Sequence, residues 1–237
     1  ILPYAPTTAM VMCTGHNQQT KKLSPLCNRG LLERVLQEAR DGLGIEFCVG
    51  AEIEFQLFHN ETKDGVPQPI DATTYATAAT LNDQEEFISI LYDQLGEQDI
   101  PIELIHSESA PGQLEVVLGY SSNVLQLADD VVLARETISA CAKKHCMKAL
   151  FTPKTSMVTA GNGCHLHFSF RDVAGSSSDN SFTDSTQSTG ISAQGGSFME
   201  GILENLPSLL SFSLPTANSF RRMGPGCWTR STVGWSM

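Results

Sequence analysis

The segment 50–57 constrains the fold of this chain more than any other part of its sequence. Apolar and polar side chains alternate through it in the order Glu52, Ile53, Glu54, Phe55, Gln56 and Leu57. An alternation with a period of two predicts a β-strand that buries one face. The two glutamates then share the opposite face, and no Lys or Arg within 50–59 balances their charge. Such a face is either solvated or, if it is buried, in need of a cation.

The remaining periodic segments complete the prediction of an α+β fold. Helical spacing of apolar residues predicts helices over 28–42, 84–98 and 123–145, and from 198 to about 212. Alternation and short apolar runs predict strands over 45–58, 102–105, 114–118, 149–153 and 164–170, with a polar turn at 60–65. This order lacks the regular rhythm of a parallel barrel and therefore favours a mostly antiparallel sheet. The Ser-, Thr- and Gly-rich stretch 174–197 is predicted to be a flexible surface insertion.

The negative net charge of the chain disfavours anionic binding partners. The chain carries 26 Asp and Glu against 15 Lys and Arg, a formal net charge of -11, which repels nucleic-acid phosphates and anionic lipid. No apolar run reaches the roughly 18 residues of a membrane span, and residues 1–13 lack the basic flank of a signal peptide. The seven Cys include no C-x-x-C pair, which is typical of reduced thiols in a cytosolic protein. We therefore expect a cytoplasmic protein without nucleic-acid or membrane partners.

Two more glutamates are brought together by a predicted turn. Pro111 and Gly112 lie between Glu108 and Glu115 and can fold the two carboxylates beside each other on adjoining strands. Taken alone, each is an ordinary loop or strand acid. The other acidic residues are expected to be solvated: Glu103 and, on exposed helix faces, Glu85, Glu86, Asp129 and Asp130.

A glycine-rich lead-in precedes a strand with two histidines. His165, His167 and Ser169 share one strand face, and Gly161 and Gly163 let the backbone approach a ligand closely. Two histidines and a serine after this lead-in favour a site over a purely structural strand. A His-x-His strand also opens metal-dependent hydrolase barrels, but those need further His ligands downstream, and no His follows position 167. The hydrolase interpretation is therefore excluded.

The last candidate segment places two arginines beside a Gly-Pro-Gly loop. Arg221 and Arg222 follow the run Asn218, Ser219 and Phe220. Their guanidinium forks suit the capture of a carboxylate or a phosphate. The alternative interpretation is a surface turn, and the segment alone does not decide between the two.

Taken together and in this order, these four segments resemble the catalytic domain of glutamine synthetases. The likeness is greatest to the glutamine-synthetase-like branch that includes γ-glutamyl-amine ligases and nodulin-type proteins. It implies a curved, mostly antiparallel sheet with flanking helices over 28–237, incomplete at its C-terminus. Residues 1–27 would then be the tail of an N-terminal β-grasp domain and a linker. Because the chain does not begin with Met and stops before the family's later arginines and last metal-binding glutamate, we expect a piece of a longer protein that forms a homo-oligomer.

The resemblance also implies the chemistry of a carbon–nitrogen ligase. In this family ATP phosphorylates the γ-carboxylate of glutamate, and ammonia or an amine then displaces the phosphate, while Mg²⁺ or Mn²⁺ neutralises the charge. Carried over by position, the metal ligands would be Glu54, Glu108 and Glu115 for the first ion and Glu52 and His165 for the second. The other matched positions are His167 and Ser169 on the nucleotide side, Gly161 at a backbone contact to glutamate, and Arg222, which would orient a substrate carboxylate.

Two positions depart from the family pattern. Ammonia-using members carry a glutamate on a flap where this chain has Trp228, and an asparagine where it has Ala160. Both changes favour an amine over ammonia as the acceptor. Because the second metal set is one ligand short, we also expect this chain to bind Mg²⁺ or Mn²⁺ but to transfer phosphoryl groups poorly. The alternative that these departures leave open is a non-catalytic, glutamine-synthetase-like structural or interaction protein.

Overall fold

A computed structural model describes residues 1–72, 75–175 and 180–223, and this part of the chain contains seven helices and six strands. The helices are α1 (Asn28–Leu43), α2 (Ala78–Asp83), α3 (Glu85–Gly96), α4 (Val124–Lys144), α5 (Ala193–Glu204), α6 (Leu206–Ser213) and α7 (Ala217–Phe220). The strands are β1 (Ile45–Lys63), β2 (Val66–Pro69), β3 (Ile102–Ser107), β4 (Gln113–Ser121), β5 (Met147–Leu150) and β6 (Cys164–Asp172). Helices and strands are intermixed, so the predicted α+β class is confirmed.

The six strands form one sheet that is organised around β1. This strand pairs with β4 on one side and with β6 and β5 on the other, while β2 pairs with its far end and β3 pairs with β4. Glu52, for example, lies opposite Val117 of β4 and His165 of β6 at the same time. Every one of these pairings is antiparallel, which confirms the predicted sheet.

One face of the sheet forms the hydrophobic core with α3 and α4. Ile53, Phe55 and Leu57 on β1 are fully buried, and they belong to one cluster with Leu91 of α3 and Ile138 of α4. Burial of a side chain of this size contributes about 1.5–3 kcal/mol to stability. The core therefore decides which face of β1 meets the helices, and the polar residues of the strand face the other way.

The end of β1 differs from the prediction. The strand continues to Lys63, and the turn consists of Asp64 and Gly65, which both have positive φ (53° and 77°). An Asp-Gly pair favours this two-residue hairpin because glycine adopts positive φ without strain. The predicted turn at 60–65 was therefore too long, and the short strand β2 that follows it was missed.

The predicted helix from 198 to about 212 is two helices. α5 begins at Ala193, where the Ser192 hydroxyl accepts a hydrogen bond from the Gly195 N–H, so the insertion predicted to reach residue 197 ends earlier. The chain breaks at Asn205, and Pro207 lies in the first turn of α6, where no helical N–H bond is needed. No helix in the described part of the chain is both long enough and apolar enough to cross a membrane.

Asp129 and Asp130 on α4 are buried, so the prediction that they are solvated was wrong. The Asp129 carboxylate accepts hydrogen bonds from the Arg29 guanidinium of α1, the shortest at 2.9 Å. The Asp130 carboxylate accepts from the Gln126 amide at 2.7 Å, and burial raises the pKa of this carboxyl. The partner of Asp129 lies one hundred positions away in the sequence, which no local pattern reveals.

Replacement of Asp129 by alanine is expected to lower the free energy of unfolding by about 1.5–3 kcal/mol, because Arg29 loses a charged hydrogen-bond partner that is mostly shielded from water. Urea denaturation followed by circular dichroism measures this change. Arg34→Ala is the control, since Arg34 and Glu38 form an exposed pair on α1 that is worth less than about 1 kcal/mol. Equal losses in the two variants would contradict a stabilising role for the pair between α1 and α4.

Candidate functional site

The face of the sheet opposite the helices carries a cavity of about 350 Å³. The residues that line it are Glu52, Glu54, Tyr75, His106, Glu108, Ser109, Glu115, Lys154, Ala160, Gly161, Gly163, His165 and Arg222. They include seven of the site residues expected from the sequence: Glu52, Glu54, Glu108, Glu115, Gly161, His165 and Arg222. His167 and Ser169, also expected there, lie outside this lining, further along β6.

The register of the strands brings the acidic groups together. Glu54 on β1 lies opposite Glu115 on β4, which in turn lies opposite His106 on β3. On the other side of β1, Glu52 lies opposite His165 on β6. Because residues that lie opposite each other on neighbouring strands point to the same face, these five side chains project into one cavity.

Glu108 enters the cavity from the turn that follows β3. Its backbone N–H donates to the Gln113 carbonyl at 2.8 Å, and the Ser109 N–H donates to its carboxylate at 2.9 Å. Gly112 allows the chain to reverse, because its φ of 67° is one that glycine adopts without strain. The turn thus brings Glu108 beside Glu115, as the sequence predicted.

Two groups of side chains in the cavity are close enough together to share an ion. In each group, one ligand atom from every member lies within 4.8 Å of the others. The groups are Glu52, Glu115 and His165, and His106, Glu108 and Glu115. Sets of carboxylates with one imidazole suit a hard divalent ion such as Mg²⁺ or Mn²⁺. Glu54 lines the same cavity but belongs to neither group.

Glu52 lies between two histidines of β6. Nδ1 of His165 is 3.0 Å from one carboxylate oxygen, and Nε2 of His167 is 2.8 Å from the other. The ring of Tyr120 packs edge-on against the His167 imidazole. His167 therefore reaches the site through Glu52, whose orientation it helps to fix, rather than through the cavity itself.

Burial and mutual repulsion disfavour ionisation of the acidic groups. Burial raises the pKa of the Glu54 carboxyl. The hydrogen bond that the Gly163 N–H donates to this carboxylate, at 2.9 Å, lowers the pKa but does not cancel the effect of burial. The charges of Glu108 and Glu115 raise this pKa further. Burial also raises the pKa of the Glu115 carboxyl. Burial lowers the pKa of the His106 imidazole, but the hydrogen bonds to the Ser107 carbonyl and to Glu115 have a larger, opposite effect, so the pKa of His106 is raised overall. A divalent cation among these donors would favour the ionised carboxylates again, so the donor set fits such an ion.

Gln113 on β4 links the acidic groups to the glycine-rich loop. Its side chain is buried, and its Nε2 lies 2.7 Å from a carboxylate oxygen of Glu54 and 3.0 Å from both the Gly161 carbonyl and the Asn162 side-chain oxygen. Its own Oε1 accepts a hydrogen bond from the Ala110 N–H at 2.8 Å. One amide therefore sets the position of Glu54 relative to the loop.

Arg222 and Lys154 reach the cavity from two segments that are joined to each other. The Lys154 N–H donates to the Asn218 side-chain oxygen at 2.8 Å, and the Asn218 amide donates back to the Lys154 carbonyl at 2.9 Å. The Arg222 guanidinium donates to the Asn162 carbonyl at 2.8 Å. The arginine is thereby fixed against the glycine-rich loop. Trp228, the position that departs from the ammonia-using pattern, lies outside the described residues.

Gly161 occupies a position that has no room for a side chain. A Cβ there would lie 2.3 Å from the Pro153 carbonyl oxygen and 3.0 Å from Cγ of Arg222. The neighbouring Ala160, at the position where ammonia-using members of the resembled family carry an asparagine, does have a side chain and lines the cavity. Glycine is therefore the residue that fits at this point of the cavity wall.

The sequence-based prediction missed four residues of the cavity lining, Tyr75, His106, Ser109 and Lys154, and also Gln113, which contacts Glu54. His106 lies two positions before Glu108, and Gln113 lies two positions before Glu115. The same spacing of two that identified Glu52 and Glu54 could have found both. Lys154 lies in a loop without periodicity, where no such signal exists.

The chain is similar to glutamine synthetases along most of its length. The sequence model of the family described as "Glutamine synthetase, catalytic domain" matches residues 25–237. Type-1 glutamine synthetase 1 of Dictyostelium discoideum is 28% identical over all of this chain and 49% of its own length. Gamma-glutamylpolyamine synthetase GlnA3 of Streptomyces coelicolor is 30% identical over 89% of this chain and 44% of its own length. The chain thus spans about half the length of the curated relatives it matches.

A solved structure gives the same result at the level of the fold. The structure described as a GmaS/ADP complex superimposes with a TM-score of 0.75 at 27% sequence identity. The superposition covers 86% of this chain and 47% of the other one. The sheet, its flanking helices and their order therefore recur in that protein.

The metal-free protein is expected to lose stability as the pH rises above 4.5, which is the ordinary pKa of a glutamate carboxyl. The pKa values of Glu54 and Glu115 are raised on folding, so the folded state binds more protons than the unfolded state in this range. At a Mn²⁺ concentration one hundred times its dissociation constant at pH 7, Mn²⁺ should restore about 2.7 kcal/mol of stability at pH 7. The same Mn²⁺ concentration should restore less at pH 5, where protons compete for the carboxylates and the dissociation constant is larger. Thermal unfolding with EDTA or with Mn²⁺ at both pH values measures this. The control variant Glu103→Gln should behave as the parent does, whereas an equal Mn²⁺ effect at the two pH values would contradict the prediction.

Replacement of Gln113 by methionine is expected to weaken Mn²⁺ binding about tenfold or more, because groups that orient a metal ligand typically contribute this much. Isothermal titration of the purified protein measures the change. Gln56→Met is the matched control, since Gln56 is an equally buried amide whose partners are Pro111 and Thr155 rather than Glu54. If both variants lost Mn²⁺ affinity to the same extent, Gln113 would have no specific role in positioning Glu54.

Proposed function

This chain belongs to the glutamine synthetase family, as the match to its catalytic domain over residues 25–237 shows, and on this basis we propose that it forms part of an ATP-dependent carbon–nitrogen ligase. The reaction would join the γ-carboxylate of glutamate to an amine through γ-glutamyl phosphate. The observation that carries this proposal is the convergence of four glutamates and two histidines on one cavity. An ordinary solvated sheet face does not require such a convergence.

The acidic residues are proposed to hold Mg²⁺ or Mn²⁺. Glu54, Glu108 and Glu115 would hold one ion, and Glu52 with His165 would hold a second. Burial, together with the repulsion between neighbouring carboxylates, raises the pKa values of Glu54 and Glu115, and a cation would offset both effects, which supports this assignment. When bound, the ions neutralise negative charge on the phosphates during phosphoryl transfer.

The proposed reaction has two steps. In the first, a γ-carboxylate oxygen of glutamate attacks the γ-phosphorus of ATP, an oxygen–phosphorus bond forms, the bond to the β,γ-bridging oxygen breaks, and ADP leaves. In the second, the lone pair of a neutral amine attacks the acyl carbon, a carbon–nitrogen bond forms and the bond to the phosphate oxygen breaks. Inorganic phosphate leaves with that electron pair, and the extra proton on nitrogen passes to solvent. The protein contributes mainly by positioning and by electrostatic stabilisation.

The remaining site residues are assigned to the two substrates. Arg222, fixed against the glycine-rich loop, would orient a carboxylate of glutamate through its guanidinium fork. Gly161 would present its backbone to the same substrate. His167 and Ser169, further along β6, would lie on the nucleotide side. The description of the similar solved structure as an ADP complex supports a nucleotide-dependent reaction.

An amine is the proposed acceptor in preference to ammonia. Ala160 lines the cavity where ammonia-using members carry an asparagine, and Trp228 replaces the glutamate of their flap. A relative with 30% identity is named for γ-glutamylpolyamine synthesis, so amine acceptors occur among proteins of this kind. We further propose that the full-length protein is a cytoplasmic homo-oligomer.

A non-catalytic role is the second candidate. Ala160 and Trp228 are the observations that favour it, because both replace polar groups of the ammonia-using members. The five proposed metal ligands Glu52, Glu54, Glu108, Glu115 and His165 count against it, since all five side chains line the same cavity. A scaffold protein would gain nothing from their mutual repulsion.

Phosphate release from ATP tests the proposed function in the full-length protein. With Mn²⁺, glutamate and a panel of primary amines, phosphate release should depend on the amine, and Glu52→Ala should reduce kcat about a hundredfold or more. Glu103→Gln, which removes an exposed acid on β3, should leave kcat unchanged. Mn²⁺ binding without any phosphate release would instead support the non-catalytic candidate.

A further inference from the structure

A second cavity, of about 540 Å³, lies beyond the loop that carries Lys154 and Gly161. Its wall is formed by the end of β1, the strand β2 and the start of the loop that follows β5. The apolar part of this wall consists of Phe58, Val66, Leu150 and three prolines. The cavity is larger than the acidic one and differs from it in chemistry.

The lining of the second cavity disfavours positive charge. Among the residues that the structure describes, its lining contains no carboxylate, and Lys154 is its one charged side chain. A cation placed there would be repelled by Lys154 and would lack the counter-charge that a buried ion requires. The lining also contains Thr159, whose hydroxyl oxygen is buried and makes no hydrogen bond within the described residues. An uncharged ligand with one polar group would match this surface.

The two cavities meet at the loop. Lys154 lines both of them. Thr159 lines the second cavity, and the next two residues, Ala160 and Gly161, line the acidic one. Two peptide units span at most about 7 Å, so the two cavities lie on either side of one short stretch of this loop.

We propose that the second cavity holds the tail of the acceptor amine, and that this tail is apolar and uncharged, as in an aryl- or alkyl-substituted primary amine. The proposal rests on the proposed function, because the amine nitrogen would lie in the acidic cavity where glutamate is activated. A diamine or polyamine would place a second ammonium group beside Lys154 without a carboxylate to bind it. The acceptor class therefore differs from that named for the γ-glutamylpolyamine synthetase relative.

Acceptor preference in the full-length protein provides the first test. Ammonia, putrescine and 2-phenylethylamine are compared as acceptors by phosphate release, and kcat/KM should be at least tenfold higher for 2-phenylethylamine than for putrescine.

A variant that fills the cavity provides the second test. Val66→Trp fills the cavity from an exposed position on β2. It should reduce kcat/KM for 2-phenylethylamine at least tenfold and leave the ammonia reaction, which has no tail, unchanged. Val132→Trp, at an exposed position on α4, is the matched control. Equal or better use of putrescine, or an equal effect of Val66→Trp on both reactions, would overturn the proposal.

Direct binding separates this proposal from the proposed function. Saturation-transfer NMR of 2-phenylethylamine and putrescine, without ATP, does not require turnover. If the protein released no phosphate but bound 2-phenylethylamine in a manner lost in Val66→Trp, the cavity assignment would stand and the ligase assignment would fail. If binding of 2-phenylethylamine were absent, or were the same in Val66→Trp as in the parent, the cavity assignment would fail whatever the activity.

Discussion

The antiparallel register of β1 against its two neighbours is the constraint on which both the core and the site depend. It turns Ile53 and Phe55 towards α3 and α4 while Glu52 and Glu54 face the cavity. Because side chains alternate with a period of two, a slip by one residue would exchange the two sets and place carboxylates among the apolar helices. Apolar contacts on one face of the strand therefore hold together an acidic face that its own repulsion would otherwise separate.

What the sequence could predict depends on the range of each contact. Glu52 and Glu54 are two positions apart on one strand, so the spacing alone placed them on one face. Glu108 and Glu115 are joined by a turn, and their approach was predictable for the same local reason. The spacing of two before Glu115 could have placed Gln113 on the same face, but its contact with Glu54 was not predictable, because Glu54 lies 59 positions away and only the folded sheet brings the two together. The roles proposed for these residues came from the resemblance to a family, since spacing places side chains but does not assign chemistry to them.

Uncharged groups fix the position of the central carboxylate in the site. The Gln113 amide and the Gly163 N–H both donate to Glu54. Because these donors carry no net charge, they orient the carboxylate and leave its negative charge to attract a cation. Lys154 and Arg222, the basic residues of the cavity, donate to backbone carbonyls of the loop. The loop is thereby stabilised by positive groups, and the Glu54 carboxylate is positioned by neutral donors.

The crowding around Gly161 determines where this protein is free to change in evolution. A side chain at this position would displace the Pro153 carbonyl and the Arg222 side chain together, so no replacement there can leave the loop and the arginine undisturbed. Ala160 and Thr159, on the same loop, line the two cavities with side chains that can vary in size. Natural selection can therefore change the shape of both cavities by substitutions at these neighbours while Gly161 and the side chains packed around it stay unchanged.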